Sequence, residues 1–256
     1  MRRLLIILVA MIPAAASAAA APLPTTLTKL CGGLPYVKGD VVQFHASDGA
    51  RLVGAIAGPK GGRVGVVFAN TADGEICDWV SPFGDEKIIN GLVAAGDQVL
   101  LFDFRGTGHS GKVRGPGSGA FDRDVLAGAA ELRSRGARKI VLVGGSFGGN
   151  VSLVAATELK PAPDAFVGLS ASGLSTGTFG DPAATAAARK LRVPMLFVVA
   201  HDDVLGETKG YYRAAGSKEK ELFIVPGSAH AYFESDASGP KVLARVVSFI
   251  RAHTTG

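Results

Sequence analysis

The sequence predicts an α/β protein built on one mostly parallel sheet, and three observations lead there. Short apolar runs at 64–69, 98–103, 139–143 and 165–169 lack polar alternation, as strands covered on both faces do. Helix-compatible segments at 86–95, 122–135 and 150–158 lie between them. Such alternation with short links implies right-handed crossovers and a parallel sheet. The third observation is the stretch Gly144-Gly145-Ser146-Phe147-Gly148-Gly149, which reads as strand, tight turn and helix with a serine at the bend.

The chain opens Met1-Arg2-Arg3, runs apolar from Leu4 to Ile12 and reaches a small-residue stretch from Ala14 to Ala21. Residues 1–18 therefore read as a secretory signal peptide, with cleavage at Ala16-Ser17-Ala18 or Ala18-Ala19-Ala20. The apolar run falls short of the roughly 20 residues that span a bilayer, and no later stretch looks like a membrane span. An exported protein is expected, periplasmic or secreted, without a membrane anchor after cleavage. Leu30 before Cys31, and the distance of that cysteine from the apolar run, argue against lipid attachment. The net charge of +5 includes Arg2 and Arg3, so cleavage leaves +3, in scattered positions that do not suggest nucleic-acid binding.

Residues 19–40 form an N-terminal segment, and residues 41–256 a single α/β domain with no linker or repeat. Cys31 and Cys77 are the whole cysteine complement of an exported chain, which favours a disulfide over two buried thiols. The chain-entropy model gives such a loop on the order of 4 kcal/mol. Two cysteines without neighbouring histidines do not make a zinc site.

In order, Val41 to Ala46 and Arg51 to Ala57 flank Ser47-Asp48-Gly49-Ala50 and read as an antiparallel hairpin that starts the sheet. The strand at Val64 leads into a polar loop, Asn70 to Asp78. The C-terminal third continues the alternation, with strands at 193–200 and 221–225, a helix near 208–214 and a last helix at 240–252. This makes about eight strands, and ligands on such sheets bind at the carboxyl ends of the parallel ones.

Gly144, Ser146 and Gly148 fit G-x-S-x-G, whose small residues let strand and helix approach while one hydroxyl points outward. With 35 glycines in the chain the pattern is a weak signal by itself. A second match, Gly173 to Gly177 around Ser175, is followed by a turn signal at Gly180-Asp181-Pro182 rather than by a helix start, and reads as loop. A serine hydroxyl needs a base, and the base needs a group that fixes its tautomer. His201-Asp202-Asp203 follows one late strand, and Pro226-Gly227-Ser228-Ala229-His230 follows the next.

The order Ser146, Asp203, His230 resembles the triad of the α/β-hydrolase superfamily, and the resemblance covers nearly the whole mature chain. Gln98 to Ser110 is similar to the family's strand ending in Asp-x-Arg-Gly-x-Gly-x-Ser, Val193 to Asp203 to its acid strand, and 226–230 to its histidine loop. The resemblance implies an α/β-hydrolase fold, a mostly parallel sheet flanked by helices, with little or no cap. Family spacing favours Asp203 over Asp202, because Asp203 stands three residues after Ala200. Asn70-Thr71 stands where the family has His-Gly, so the first oxyanion donor is the N–H of Thr71 or of Ala72. The second is the N–H of Phe147. Asp103 reads as a structural residue of its turn with Arg105 as neighbour, not as the triad acid. His45, His109, His201 and His253 read as peripheral, loop or terminal residues.

These residues imply a serine hydrolase acting on a small acyl substrate, an ester or thioester, with no metal or organic cofactor. Peptidase and acyltransferase chemistry use the same groups, and a catalytically silent secreted binding protein is the alternative from another class. A dehalogenase is disfavoured, since that chemistry needs Asp at the elbow. Trp79, Phe83, Phe147, Phe179 and Tyr232 are candidates for an acyl pocket and equally for core.

Overall fold

The computed structural model describes residues 22–33, 37–173 and 181–255. The signal-peptide segment 1–18, Ser175 and Phe179 lie outside the described residues. In chain order the elements are α1 (Leu27–Leu30), β1 (Gly39–His45), β2 (Arg51–Ala57), β3 (Val64–Ala69), α2 (Ile76–Trp79) and α3 (Glu86–Ala94). Then come β4 (Gln98–Phe102), α4 (Phe121–Ser134), β5 (Lys139–Gly145), α5 (Phe147–Glu158) and β6 (Ala165–Leu169). The chain finishes with α6 (Pro182–Lys190), β7 (Met195–Ala200), α7 (Leu205–Ala214), β8 (Lys220–Val225) and α8 (Gly239–Thr254).

The eight strands form one sheet in the order β1-β2-β4-β3-β5-β6-β7-β8. β1 and β2 pair antiparallel, as do β2 and β4, and the remaining pairs are parallel. After β3 the chain steps outward to β4, then returns to the other side of β3 for β5. That reversal makes the carboxyl ends of β3 and β5 the switch point, the place where sheets of this kind bind ligands. Ala69 and Gly144 are paired there, with Asn70 and Ser146 just beyond.

Alternate strand residues feed two cores, as the period-2 pleat requires. Val67, Leu100, Phe102, Ile140 and Leu142 pack with Val125, Leu132, Leu153 and Tyr211 on one face. Val66, Phe68, Val99, Leu101, Val141 and Val143 pack with Trp79, Ile89, Val246 and Ile250 on the other. Strands buried on both faces explain the unbroken apolar runs. Cys31 and Cys77 form a disulfide that ties the end of α1 to α2.

Three helices escape the sequence reading. The loop after β3 contains α2, a single turn fastened by Asp103, whose Oδ1 accepts the N–H of Ile76 at 2.8 Å. α1 is likewise one turn, too short for any periodicity. The stretch expected to be only a short Gly/Thr/Ala-rich link holds α6, started by Asp181 as N-cap and Pro182 in its first turn. It packs against α5 and α7. Elsewhere β5 runs one residue past Gly144, and α5 begins at Phe147 rather than Asn150.

Candidate active site

The bend at Ser146 is made possible by glycines that cannot carry a side chain. A Cβ on Gly144 would stand 2.4 Å from the Gly148 carbonyl group, and one on Gly148 would stand 2.3 Å from the carbonyl oxygens of both Ala69 and Asn70. Strand, helix and the loop after β3 therefore meet backbone to backbone. Ser146 takes φ 50 and ψ −120, outside the ordinary regions for a residue with a side chain. Its N–H donates to the Leu169 carbonyl at 2.8 Å, and its own carbonyl accepts from Gly149 and Ser172.

The structure brings Ser146, His230 and Asp203 together. Nε2 of His230 lies 2.8 Å from Ser146 Oγ, and Nδ1 lies 2.7 Å from Asp203 Oδ1. The histidine ring is 42% exposed, whereas the Asp203 side chain is 8% exposed. The hydrogen bond to Asp203 raises the His230 pKa above its ordinary value, and partial burial opposes it. Asp202 points elsewhere: it is 66% exposed and lies 2.6 Å from Nδ1 of the exposed His201.

Asn70 is fully buried and donates from Nδ2 to the Phe102 carbonyl at 3.0 Å, which pins the end of β3 to β4. The carbonyl oxygen of Asn70, just before Thr71-Ala72, lies against the first turn of α5 at Gly148. Phe147, the first residue of α5, has no acceptor for its N–H within the helix. Tyr232, two residues past His230, stacks edge-on against Trp79 at 5.0 Å, and its hydroxyl and that of Thr71 both border Gly74, 3.2 and 2.5 Å from where a Cβ on that glycine would stand. The loops that carry His230 and Thr71 thus come together at Gly74.

Asp103 is a structural residue of its turn, as the sequence implies, but its hydrogen bonds are not made with the neighbouring Arg105. Its two oxygens accept the N–H groups of Ile76 and His109, both at 2.8 Å. Arg105 instead binds Asp124 and Asp48, with its guanidinium 1% exposed. The reason is direction: the side chain of Arg105 turns toward α4, where Asp124 is buried and waiting. His109 is a turn residue, and His45 lies exposed on β1.

Of the apolar candidates, Trp79 is fully buried core, in contact with Phe68 and Tyr232. Phe83 is 74% exposed. Phe147 packs against Phe104 and Phe121 and borders a crevice of about 170 Å³ with Gly119, Val151 and Val154. Reading the sequence missed Ser172, whose Oγ lies 3.2 Å from that of Ser146, and Ser170, whose Oγ accepts the Ala231 N–H at 3.0 Å. Their position just past β6, at the same sheet end as Ser146, was the available signal.

A model of the α/β-hydrolase fold family matches residues 76–197, which contain the elbow and the turn at Asp103. The chain is an α/β-hydrolase-fold protein. Among solved structures, this α/β-hydrolase-fold chain is similar to the Pyrococcus furiosus esterase Pf2001, with a TM-score of 0.71 and 17% identity over 91% of this chain and 98% of that one. It is similar also to a dienelactone hydrolase from Anabaena variabilis, with a TM-score of 0.66 and 19% identity over 86% and 99% of the two chains. Est1E from Butyrivibrio proteoclasticus, solved with ferulic acid bound, aligns with a TM-score of 0.66 and 16% identity over 83% and 99%. No curated protein matches the sequence. Among the described residues, no group of His, Cys, Asp and Glu is arranged to hold a metal, and no helix is long and apolar enough to cross a membrane.

Proposed function

We propose that the protein is an exported serine hydrolase that cleaves a carboxyl ester or thioester through an acyl-enzyme on Ser146. The observation that carries this reading is the unbroken line from Asp203 through both ring nitrogens of His230 to a hydroxyl held on strained backbone. Nδ1 keeps its hydrogen for Asp203, so Nε2 is free to take the proton of Ser146. Oγ then attacks the substrate carbonyl. The oxyanion is held by the N–H of Phe147 and that of Thr71 or Ala72, aided by the positive end of α5.

The imidazolium formed at His230 is stabilised by Asp203 and protonates the leaving alcohol or thiol. Water, deprotonated by the same ring, then attacks the acyl-enzyme and frees Ser146. Ester chemistry is favoured by the esterases and the dienelactone hydrolase among the structural relatives. The proposed substrate is a small acyl compound, and the described residues form no separate cap over the strand ends, α6 packing instead on α5 and α7. Export is supported by the leader-like residues 1–18 and by the disulfide, which persists in oxidising compartments.

The test is intact-mass analysis after exposure to a fluorophosphonate, with Ser146→Ala as control. One adduct per chain on the wild type and none on the control is expected. A folded wild type that takes no adduct would refute the proposal in favour of a silent binding protein.

A further inference from the structure

The base of this site stands on a loop, and the backbone of that loop needs partners. Residues 230–234 turn through left-handed backbone at Ala231, with φ 64, and the Tyr232 N–H folds back onto the His230 carbonyl at 2.7 Å. The next two N–H groups leave the loop altogether. Both Phe233 and Glu234 donate to Oδ1 of Asp85, at 2.9 and 3.1 Å, across 148 and 149 positions of sequence.

Asp85 is placed where an aspartate ordinarily serves its own helix. It is the N-cap of α3, yet its side chain makes no capping bond. It is also fully buried, and its Oδ2 has no hydrogen-bond partner. Burial pushes its carboxyl up to about 7, against the pull of the two N–H groups and with that of nearby Glu234. A buried acid that forgoes its helix cap and leaves one oxygen unpaired is costly to keep. What it does in return is hold the loop that presents His230.

We propose that Asp85 is a positioning residue for His230, fixing the base at hydrogen-bond distance from Ser146 through the N–H groups of Phe233 and Glu234. Other contacts also hold this loop, since Phe233 is fully buried in the core, Tyr232 stacks on Trp79 and the Ala231 N–H donates to Ser170 Oγ, but none of them takes up the N–H groups of Phe233 and Glu234. A cavity of about 250 Å³, bounded by Asp85, Ile88, Glu234, Gly239, Pro240 and Leu243, adjoins the anchor and leaves the loop room to shift. Glu234 also reaches the start of α3 through its side chain: Oε2 accepts the Lys87 N–H at 2.6 Å, and Oε1 pairs at 3.2 Å with the Lys87 ammonium, a weak contact because the lysine is 69% exposed. The role rests on the serine-hydrolase reading, because a displaced base matters only to a reaction that uses it.

The experiment compares Asp85→Ala and Asp85→Asn with the wild-type chain. The fluorophosphonate labelling rate of Ser146 is measured along with kcat and KM for a short p-nitrophenyl ester. A misplacement near 1 Å costs about 100-fold. Asp85→Ala is therefore expected to slow labelling and lower kcat by about 10- to 100-fold, with KM within about threefold. Asp85→Asn keeps the Oδ1 acceptor and should restore most of the rate.

A folded Asp85→Ala that labels at the wild-type rate overturns the role, and so does an asparagine variant as slow as the alanine one. If the alanine variant does not fold, hydrogen exchange on Asp85→Asn decides. Protected amides at Phe233 and Glu234 with retained labelling support the role, and exposed amides with unchanged labelling overturn it. A wild type that takes no label overturns the hydrolase reading itself, whereas a labelled wild type with an unaffected Asp85→Ala overturns this role alone.

Discussion

Asp203→Asn tests the proposed mechanism at the most buried polar contact in the His230 line. The carboxylate is 8% exposed and accepts the ring N–H of His230 at 2.7 Å, which leaves Nε2 to accept from Ser146 at 2.8 Å. An asparagine can present its amide N–H to Nδ1 instead. That stabilises the opposite tautomer, with hydrogen on Nε2, and such a ring cannot take the serine proton. The corresponding change in a serine protease lowers kcat by about 10⁴, equivalent to about 5.4 kcal/mol of barrier.

The same substitution moves the pH profile. In the wild type the bond to Asp203 raises the His230 pKa and burial opposes it, so removing the carboxylate leaves burial to act alone. The acid limb of kcat/KM should therefore shift to lower pH while the plateau falls. Stability follows with its own sign. A histidine whose folded pKa lies above the unfolded value of about 6.5 adds stability below that pH and loses it as pH rises through the folded pKa. Asp203→Asn should accordingly destabilise the protein more near pH 5 than near pH 8. The assay is kcat/KM for a p-nitrophenyl ester across pH, beside urea melts and an Asp202→Asn control. A loss smaller than about tenfold, an unmoved acid limb, or an Asp202→Asn variant worse than Asp203→Asn would refute the reasoning.

Two further substitutions test how the site is framed. Gly148→Ala puts a Cβ 2.3 Å from two backbone oxygens, those of Ala69 and Asn70. A clash with backbone on both sides should cost about 1–3 kcal/mol, read as a melting temperature lower by roughly 3–10 °C, and should slow Ser146 labelling by displacing the Asn70-Thr71 segment. Asp124→Ala leaves the Arg105 guanidinium buried with Asp48 as its remaining carboxylate, and should cost about 3 kcal/mol in urea denaturation with little change in the labelling rate per folded molecule.

The sheet was legible because its strands are buried on both faces, which writes them as continuous apolar runs. The grouping of Ser146, Asp203 and His230 at the carboxyl ends was legible because all three fall just past those runs. What stayed hidden is what depends on long-range partners. The one-turn helix α2 exists because Asp103, 27 positions on, accepts the Ile76 N–H. The partners of Arg105 could not be read from the motif, because its ion pair with Asp124 is made to a helix that folds over the turn. α6 left a signal in Asp181-Pro182, but alanine-rich sequence without an apolar stripe did not read as a buried helix. Asp85 looks like an ordinary helix cap from sequence, and only the fold shows its side chain serving the loop at 233–234.

The distribution of strain argues that this end of the sheet is the site. Among the described residues three non-glycine positions take positive φ, namely Ser146, Ser170 and Ala231. Each follows or lies near the end of a different strand, β5, β6 and β8, yet all three are linked. Ser146 N–H donates to Leu169, Ser170 N–H donates to Val198, and Ala231 N–H donates to Ser170 Oγ. Left-handed backbone at a residue with a side chain costs of order 1–3 kcal/mol each and persists only where surrounding structure over-determines it. A fold with glycines at every other described left-handed position, free to place glycine at these three as well, keeps side chains there instead. At Ser146 and Ser170 the side chain is the reason, since each hydroxyl makes a contact that glycine cannot. At Ala231 the methyl packs against Gly145, within 3.1 Å of where a Cβ on that residue would stand. The hydrogen bonds that sustain this strain therefore hold the elbow, the strand beside it and the histidine loop in one mutual geometry, which is what the proposed proton transfer from Ser146 to His230 would require.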